Sequence, residues 1–454
     1  MINIEKLDMN GCGVGYYQNK AIFVEGCLPK EKVEVRLIEQ KNKFSRGRLL
    51  KVNSASGNRV AVVCKHFELC GGCDLQHLNY NEQLVFKQNK IIELLSRNNI
   101  DHNILSKLPW DLPIMSNPWH YRRKARIGVQ FDKKSQATIG FRQKATNQLV
   151  AIKSCPTLVN SLSDIFPTLR TLIAKLSVKK AIGHIEVIST EQNNDSEQLL
   201  TIIVRQLRSL NDQDRDLWQA YAKQYHWHVE FDLGKEKETE KETEKDINAK
   251  LSHEQVLSYS LANDITLNFT KDDFIQVNQK VNEAMIAQAI DWLDLKPNDN
   301  VLDLFCGLGN FSLPIAKRVN NVVGVEGVQS MVDKAAANAL DNHIDNCQFY
   351  QADLNSDWSE HAWVKQCFTK VLLDPARAGA EQAVLQLIKL AVNTILYVSC
   401  DPATLARDSQ LLLSKGYKIE RIGLIDMFAQ TKHVETMVLF QHSLVSTNHF
   451  FNEK

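Results

Sequence analysis

The chain has 454 residues, 44% of them hydrophobic and 24% charged, which excludes a single small module and excludes a disordered, collagenous or fibrous chain. Two or three domains are expected. With 54 basic against 53 acidic residues the formal charge is +1, too little to coat nucleic acid by bulk charge.

No run reaches the roughly 18 apolar residues that a membrane span needs. The opening Met1-Ile2-Asn3-Ile4-Glu5 lacks the basic-then-apolar plan of a secretion signal. A cytoplasmic monomer without membrane partners is expected. The basic residues are unevenly placed, 11 against 6 acidic over residues 1–60 and 9 against 1 over residues 119–153. Arg46, Arg48, Lys51, Arg122, Arg123, Lys124 and Arg126 therefore suit a polyanion, and Trp119 and Tyr121 beside the arginines favour RNA.

In chain order, residues from about Gly13 to Val52 alternate as short strands, for example Ala21-Ile22-Phe23-Val24 and Val33-Glu34-Val35-Arg36-Leu37-Ile38, and predict a small β-barrel over residues 1–55. Residues 53–80 are rich in Cys and Gly, and residues 81–97 read as a polar-faced helix. They open a central domain over 56–265, which includes a mixed-charge run from Lys235 to Lys245 read as a solvated loop or exposed helix. Beyond, over 266–454, strands and helices alternate as in a parallel α/β domain.

Ten cysteines in such a chain are ligands, nucleophiles or packing rather than disulfides. Cys64, Cys70 and Cys73 have C-x5-C-x2-C spacing, and Cys155-Pro156 supplies a distant fourth thiol. Three local ligands and one remote cysteine before proline suit a [4Fe-4S] cluster, whereas structural zinc usually takes two local pairs. Zinc remains the alternative.

In the last third, the apolar run Val301-Leu302-Asp303-Leu304-Phe305 leads into Cys306-Gly307-Leu308-Gly309-Asn310, a strand, glycine turn and helix unit. Later strands end at Glu326, Asp353, Asp374 and Ser399-Cys400. Ligands of open α/β sheets bind at that carboxyl edge, and Glu326 after the second strand suits a ribose. Ser312 stands where a pyrophosphate cradle wants glycine, which favours S-adenosylmethionine over NAD. In Ser399-Cys400-Asp401-Pro402 the aspartate can cap a helix whose amino-terminus favours a thiolate at Cys400.

Phe274-Ile275-Gln276-Val277-Asn278, Asp303 to Asn310, Leu373-Asp374-Pro375-Ala376-Arg377, Ser399-Cys400-Asp401-Pro402-Ala403-Thr404 and His433-Val434-Glu435 together resemble the RNA 5-methyluridine methyltransferases over about residues 268–440. The barrel resembles a TRAM domain with an OB-like fold. The whole pattern is similar to the branch of the family that carries barrel and cluster and modifies 23S rRNA. The resemblance implies an OB-like barrel, a central α+β iron–sulfur domain and a Rossmann-like class I methyltransferase domain. It implies Cys400 as nucleophile on uracil C6 and Glu435 as the base that removes the C5 proton. Gln276, Phe305, Asn310, Glu326, Asp353 and Asp374 would line the S-adenosylmethionine site, Gln276 and Asp374 also touching the base, while Arg46 and Arg48 would grip RNA. The family usually has Asn after the nucleophile. Asp401 here adds a negative charge expected to oppose thiolate formation. The rival readings are the same reaction on another rRNA or tRNA uridine, a non-catalytic iron–sulfur RNA-binding factor and a DNA cytosine methylase.

Overall fold

The computed structural model describes residues 1–192, 195–233 and 256–442; the charged run Lys235 to Lys245 lies outside them. Five strands, β1 (Ile2–Leu7), β2 (Gly13–Tyr17), β3 (Lys20–Val24), β4 (Lys32–Gln40) and β5 (Phe44–Ser54), close a barrel in the order β1-β2-β3-β5-β4. Alternation along them sends Ile2, Ile4, Ile22, Val24 and Val33 inward and leaves Arg46 and Arg48 on the outer surface. Strand β1 lies ahead of the Gly13 start that the pattern suggested. Its two apolar alternations are too short a signal, and pairing with β2 and β4 supplies the rest.

The helix α1 (Tyr80–Arg97) buries Leu84, Lys87, Ile91 and Leu95 on one face. Its apolar residues pack in the same layer as the C-terminal sheet, so this expected polar-faced helix is a support of the last domain. The central sheet follows the order β11-β10-β9-β6-β7-β8. Its strands are β6 (Lys124–Phe131), β7 (Ala137–Arg142), β8 (Leu149–Ala151), β9 (Ile182–Gln192), β10 (Asp195–Gln206) and β11 (Trp227–Asp232). Helices α2 (Ile165–Lys175) and α3 (Asp212–Tyr225) cover it through Phe166, Leu169 and Trp218.

A hairpin of β12 (Leu257–Leu261) and β13 (Ile265–Phe269) leads through a strap to helix α4 (Gln279–Leu293). The last sheet contains β14 (Asn300–Leu304), β15 (Asn321–Glu326), β16 (Cys347–Gln351), β17 (Lys370–Leu373), β18 (Thr394–Ser399), β19 (Tyr417–Ile425) and β20 (Glu435–His442). Its order is β16-β15-β14-β17-β18-β20-β19, with β14 to β18 parallel and β20 antiparallel to both neighbours. Strands β14, β15, β17 and β18 are mostly apolar because helices cover both faces, whereas β16, at the sheet edge, carries Gln348 and Gln351 exposed. The expectation of alternation to the chain end is corrected at β19 and β20, which form an antiparallel pair. That inversion brings the start of β20 to the carboxyl edge of the parallel strands, where Thr436 pairs with Ser399. Among the described residues no helix is long and apolar enough to cross a membrane.

Candidate active site

Strand β14 delivers the loop Phe305 to Asn310 to the carboxyl edge. Phe305, Gly307 and Gly309 adopt φ of 62°, 55° and 90°, a left-handed course that the two glycines take without cost. The loop is stiffened from beneath. Ser312 Oγ donates to Asp303 Oδ2 at 2.5 Å, and burial pushes the Asp303 carboxyl up to about 7. Asn310 and Asn282 of α4 exchange amide hydrogen bonds of 3.0 and 2.9 Å, and Tyr259 Oη donates to Asn310 at 3.2 Å. Asn310 thus fastens the loop to α4.

At the end of β15, Glu326 accepts from the amides of Gly307, Gly327 and Val328 at 3.2, 2.8 and 3.2 Å. Its carboxylate is aimed at the glycine loop. Asp353, beyond β16, is exposed and accepts from the Asn355 amide. The two carboxylates and the glycine loop occupy the adjacent ends of β14, β15 and β16, the position from which a nucleoside would be held. Phe305 packs its ring against the apolar layer beneath.

On the other side of β14 lie Asp374 after β17, Cys400 after β18 and Glu435 at the start of β20. Burial pushes the Asp374 carboxyl up to about 7. Glu435 is 6% exposed, with Oε2 buried and without a hydrogen-bond partner among the described residues. Burial, reinforced by the charges of Asp374 and Asp426 and opposed by Lys87, pushes it up to about 8. Cys400 is half-buried, and its thiol is pushed up to about 11, first by burial and then by Glu435 and Asp374, with Arg377 acting the other way. Two carboxyls and a thiol brought close together and largely out of water each hold a proton to higher pH than they would alone in water. One expectation is corrected here. The helix amino-terminus does not make Cys400 an acidic thiol, because burial and the two carboxylates outweigh it. Asp401 is not among the charges acting most on Cys400. Its Oδ1 accepts from the Ala403 amide at 2.8 Å and caps α5 (Pro402–Ser414).

Gln276 lies on the strap between β13 and α4, 9% exposed, with Oε1 buried and unpartnered among the described residues. The strap is held from the central domain. Arg123 donates from Nε to Gln276 O and from its amide to Val277 O, both at 2.9 Å, and stacks 4.3 Å from the Tyr259 ring. Lys124 Nζ donates to the carbonyls of Lys271 and Asp273. The reading of residues 119–126 as an RNA surface is corrected at two positions: Arg123 and Tyr121 are buried, and Tyr121 Oη donates to Ala429 O, while Arg126 is exposed. Composition revealed their charge but not their direction. Arg46 and Arg48 remain exposed on the barrel, Arg46 lying 3.4 Å from Glu39 and 5.9 Å from the Phe44 ring.

Cys64, Cys70, Cys73 and Cys155 line one cavity of about 260 Å³ together with Phe67, Phe141, Ile152 and Tyr121. Burial raises the thiols of Cys64 and Cys70, and pushes that of Cys73 up to about 12. Among the described residues no three His, Cys, Asp or Glu side chains are grouped to hold a single metal ion. Segment Trp119 to Lys124 joins this cavity to the strap: the amides of Tyr121 and Arg122 donate to Thr157 O, two residues after Cys155.

The family model described as tRNA (uracil-5-)-methyltransferase matches residues 79–443, and the TRAM domain model matches residues 1–50. A relative from Colwellia psychrerythraea, named 23S rRNA (uracil(1939)-C(5))-methyltransferase RlmD, is 57% identical over 97% of this chain and 96% of its own. A relative of the same name from Psychromonas ingrahamii is 44% identical over 97% and 95%. The solved structure of Pyrococcus abyssi tRNA (uracil-54, C5)-methyltransferase with S-adenosyl-L-homocysteine superposes with a TM-score of 0.71 at 23% identity, covering 97% of this chain and 100% of that one.

Proposed function

Since the chain belongs to the RNA (uracil-5-)-methyltransferase family, a family of S-adenosylmethionine-dependent enzymes, we propose that it methylates C5 of one uridine in 23S rRNA, the position numbered 1939 in its relatives' names. The observation that carries the chemistry is the convergence of Cys400, Glu435 and Asp374 at one carboxyl edge, Glu435 with a buried and unpartnered oxygen.

Uracil C5 is a poor nucleophile. Addition of the Cys400 thiolate to C6 forms a C–S bond and moves the ring electrons towards C5 and O4. S-adenosylmethionine, when bound, supplies the electrophilic methyl group that C5 takes up, with Phe305, Asn310, Glu326 and Asp353 on the cofactor side. Glu435 then accepts the C5 proton, the C5=C6 bond re-forms and the C6–S bond breaks, returning the thiolate. Gln276, with its side-chain oxygen unpartnered among the described residues, and Asp374, whose carboxyl burial pushes up to about 7, are suited to hold the polar edge of a flipped-out uracil. Without RNA the Cys400 thiol keeps its proton, and that proton passes to water as the sulfur adds to C6.

The four-thiol cavity fits a [4Fe-4S] cluster. Thiols raised by burial need metal charge to ionise. A cubane would take its four thiolates at its corners, and a single zinc, which takes four ligands about one centre, is the alternative. The barrel surface with Arg46 and Arg48 is suited to phosphate contacts. Mapping 5-methyluridine in 23S rRNA from cells lacking this protein tests the assignment: one site should be lost, and a full complement would overturn it.

A further inference from the structure

Behind Glu435 lies a buried ion pair that the reaction as described does not use. Lys87 sits in the apolar stripe of α1 and is fully buried, as is Asp426 at 2% exposure. Lys87 Nζ donates to Asp426 Oδ1 at 2.5 Å and to Phe428 O at 3.0 Å. Tyr80 Oη donates to the second carboxylate oxygen at 2.8 Å. Glu435 pairs across the sheet with Ile425, so Asp426 leaves β19 directly beside the residue that opens β20. A buried ion pair is weak evidence for stability, since apolar residues of the same volume often serve as well. Its position at the back of the site asks for another explanation.

We propose that Lys87 and Asp426, anchored by Tyr80, are positioning residues that set the charge around Glu435 and act on its carboxyl in opposite senses. The inference rests on the assignment of Glu435 as base. Lys87 favours the ionised carboxyl and Asp426 the protonated one, while Asp374 and Cys400 face it from the other side. Lys90, one turn further along α1, donates to Lys432 O at 3.1 Å and is engaged elsewhere. Held together by short hydrogen bonds, Lys87 and Asp426 nearly cancel at Glu435, which leaves burial and Asp374 to decide its protonation. A lone carboxylate at position 426 would keep the base protonated through the working pH range. A lone ammonium at position 87 would keep it ionised and so oppose the thiolate at Cys400.

The test measures the titration of Glu435 directly in the full-length protein, by carbon-13 NMR of side-chain-labelled glutamate, with the resonance identified by its loss in Glu435→Gln. Lys87→Met should raise the titration midpoint by on the order of one pH unit and Asp426→Asn should lower it by a similar amount. Because Lys87→Met strands a buried carboxylate and is the variant most exposed to misfolding, Lys87→Met/Asp426→Leu serves as the second variant, with a midpoint within a few tenths of the parent. The pH profile for decay of the methylated protein–RNA adduct should move with each midpoint. Shifts of the same sign in both single variants, no shift in folded Asp426→Asn, or a midpoint in the double variant moved by as much as in a single variant would overturn the proposal. Opposite NMR shifts with unmoved adduct decay would support the electrostatic assignment while removing Glu435 from the role of base.

Discussion

Replacing Glu435 by Gln separates what this residue does for chemistry from what it does to stability. The substitution keeps shape and hydrogen-bonding capacity and removes the ability to accept a proton. Thiolate addition and methyl uptake proceed without a base, so a methylated protein–RNA adduct should accumulate, with turnover slower by on the order of 10²–10⁴-fold. The stability effect has the opposite sign. The folded carboxyl titrates at about 8 against an ordinary 4.5, so between these values the folded chain holds a proton that the unfolded chain has released. Stability therefore falls as pH rises through this window. At about 1.4 kcal/mol per pH unit, the loss reaches up to about 5 kcal/mol above pH 8. Glutamine is neutral at every pH and escapes it. Parent and variant should melt together near pH 4.5, and the variant should melt several degrees higher at pH 9. Thermal melts across pH give the second readout, and a denaturing gel of radiolabelled methyl groups migrating with protein and RNA gives the first. Equal melting at pH 9, or release of 5-methyluridine at the parent rate without adduct, would refute the reasoning.

The same protonation pattern predicts that single-turnover release of 5-methyluridine rises with pH from about 6.5 to 9, because the Cys400 thiol, pushed up to about 11, must lose its proton for addition and Glu435 must ionise near 8 for elimination; a flat profile would contradict the assigned groups. Anaerobically purified protein should be brown with about four irons per chain, and Cys155→Ala should lose them together with the order of the loop around Cys64 to Cys73. One zinc per chain in colourless protein would replace that reading. Arg46→Ala and Arg48→Ala should each raise the KM for a long rRNA fragment while sparing kcat, and each should reduce the slope of log affinity against log salt by about one. An unchanged slope would remove these two residues from the RNA contact.

Four of the parallel strands are legible because each is a short, mostly apolar run followed by a polar residue or the glycine loop, from Leu304 ahead of the glycine loop to Ser399 ahead of Cys400. The cap at Asp401 was legible too, since Asp-Pro before an apolar periodic stretch has a local physical cause. What escaped detection depends on partners far along the chain. Lys87 stands three residues after Leu84 and four before Ile91, inside the stripe that α1 buries. That spacing was the available signal, but its partner Asp426 lies 339 residues away. Arg123 and Lys124 look like their neighbour Arg126 in sequence, and only the strap that crosses them turns them inward. The acidity of Cys400 was misjudged for the same reason: the helix start is local, whereas Glu435 and Asp374 arrive from other strands. Asn310 was singled out for the cofactor, yet its amide is occupied by Asn282, a helix residue with no motif to mark it.

The central claim, that Cys400 attacks the uracil ring, is tested most directly with a 23S rRNA fragment carrying 5-fluorouridine at the target, incubated with the full-length protein and S-adenosylmethionine. Fluorine cannot leave as a cation, so elimination is blocked and the adduct persists. Mass spectrometry of the digested complex should find one nucleotide, methylated at C5, joined through C6 to the sulfur of Cys400, and Cys400→Ala should yield none. Trapping through another residue, or methylation of ordinary uridine RNA by Cys400→Ala, would contradict the account.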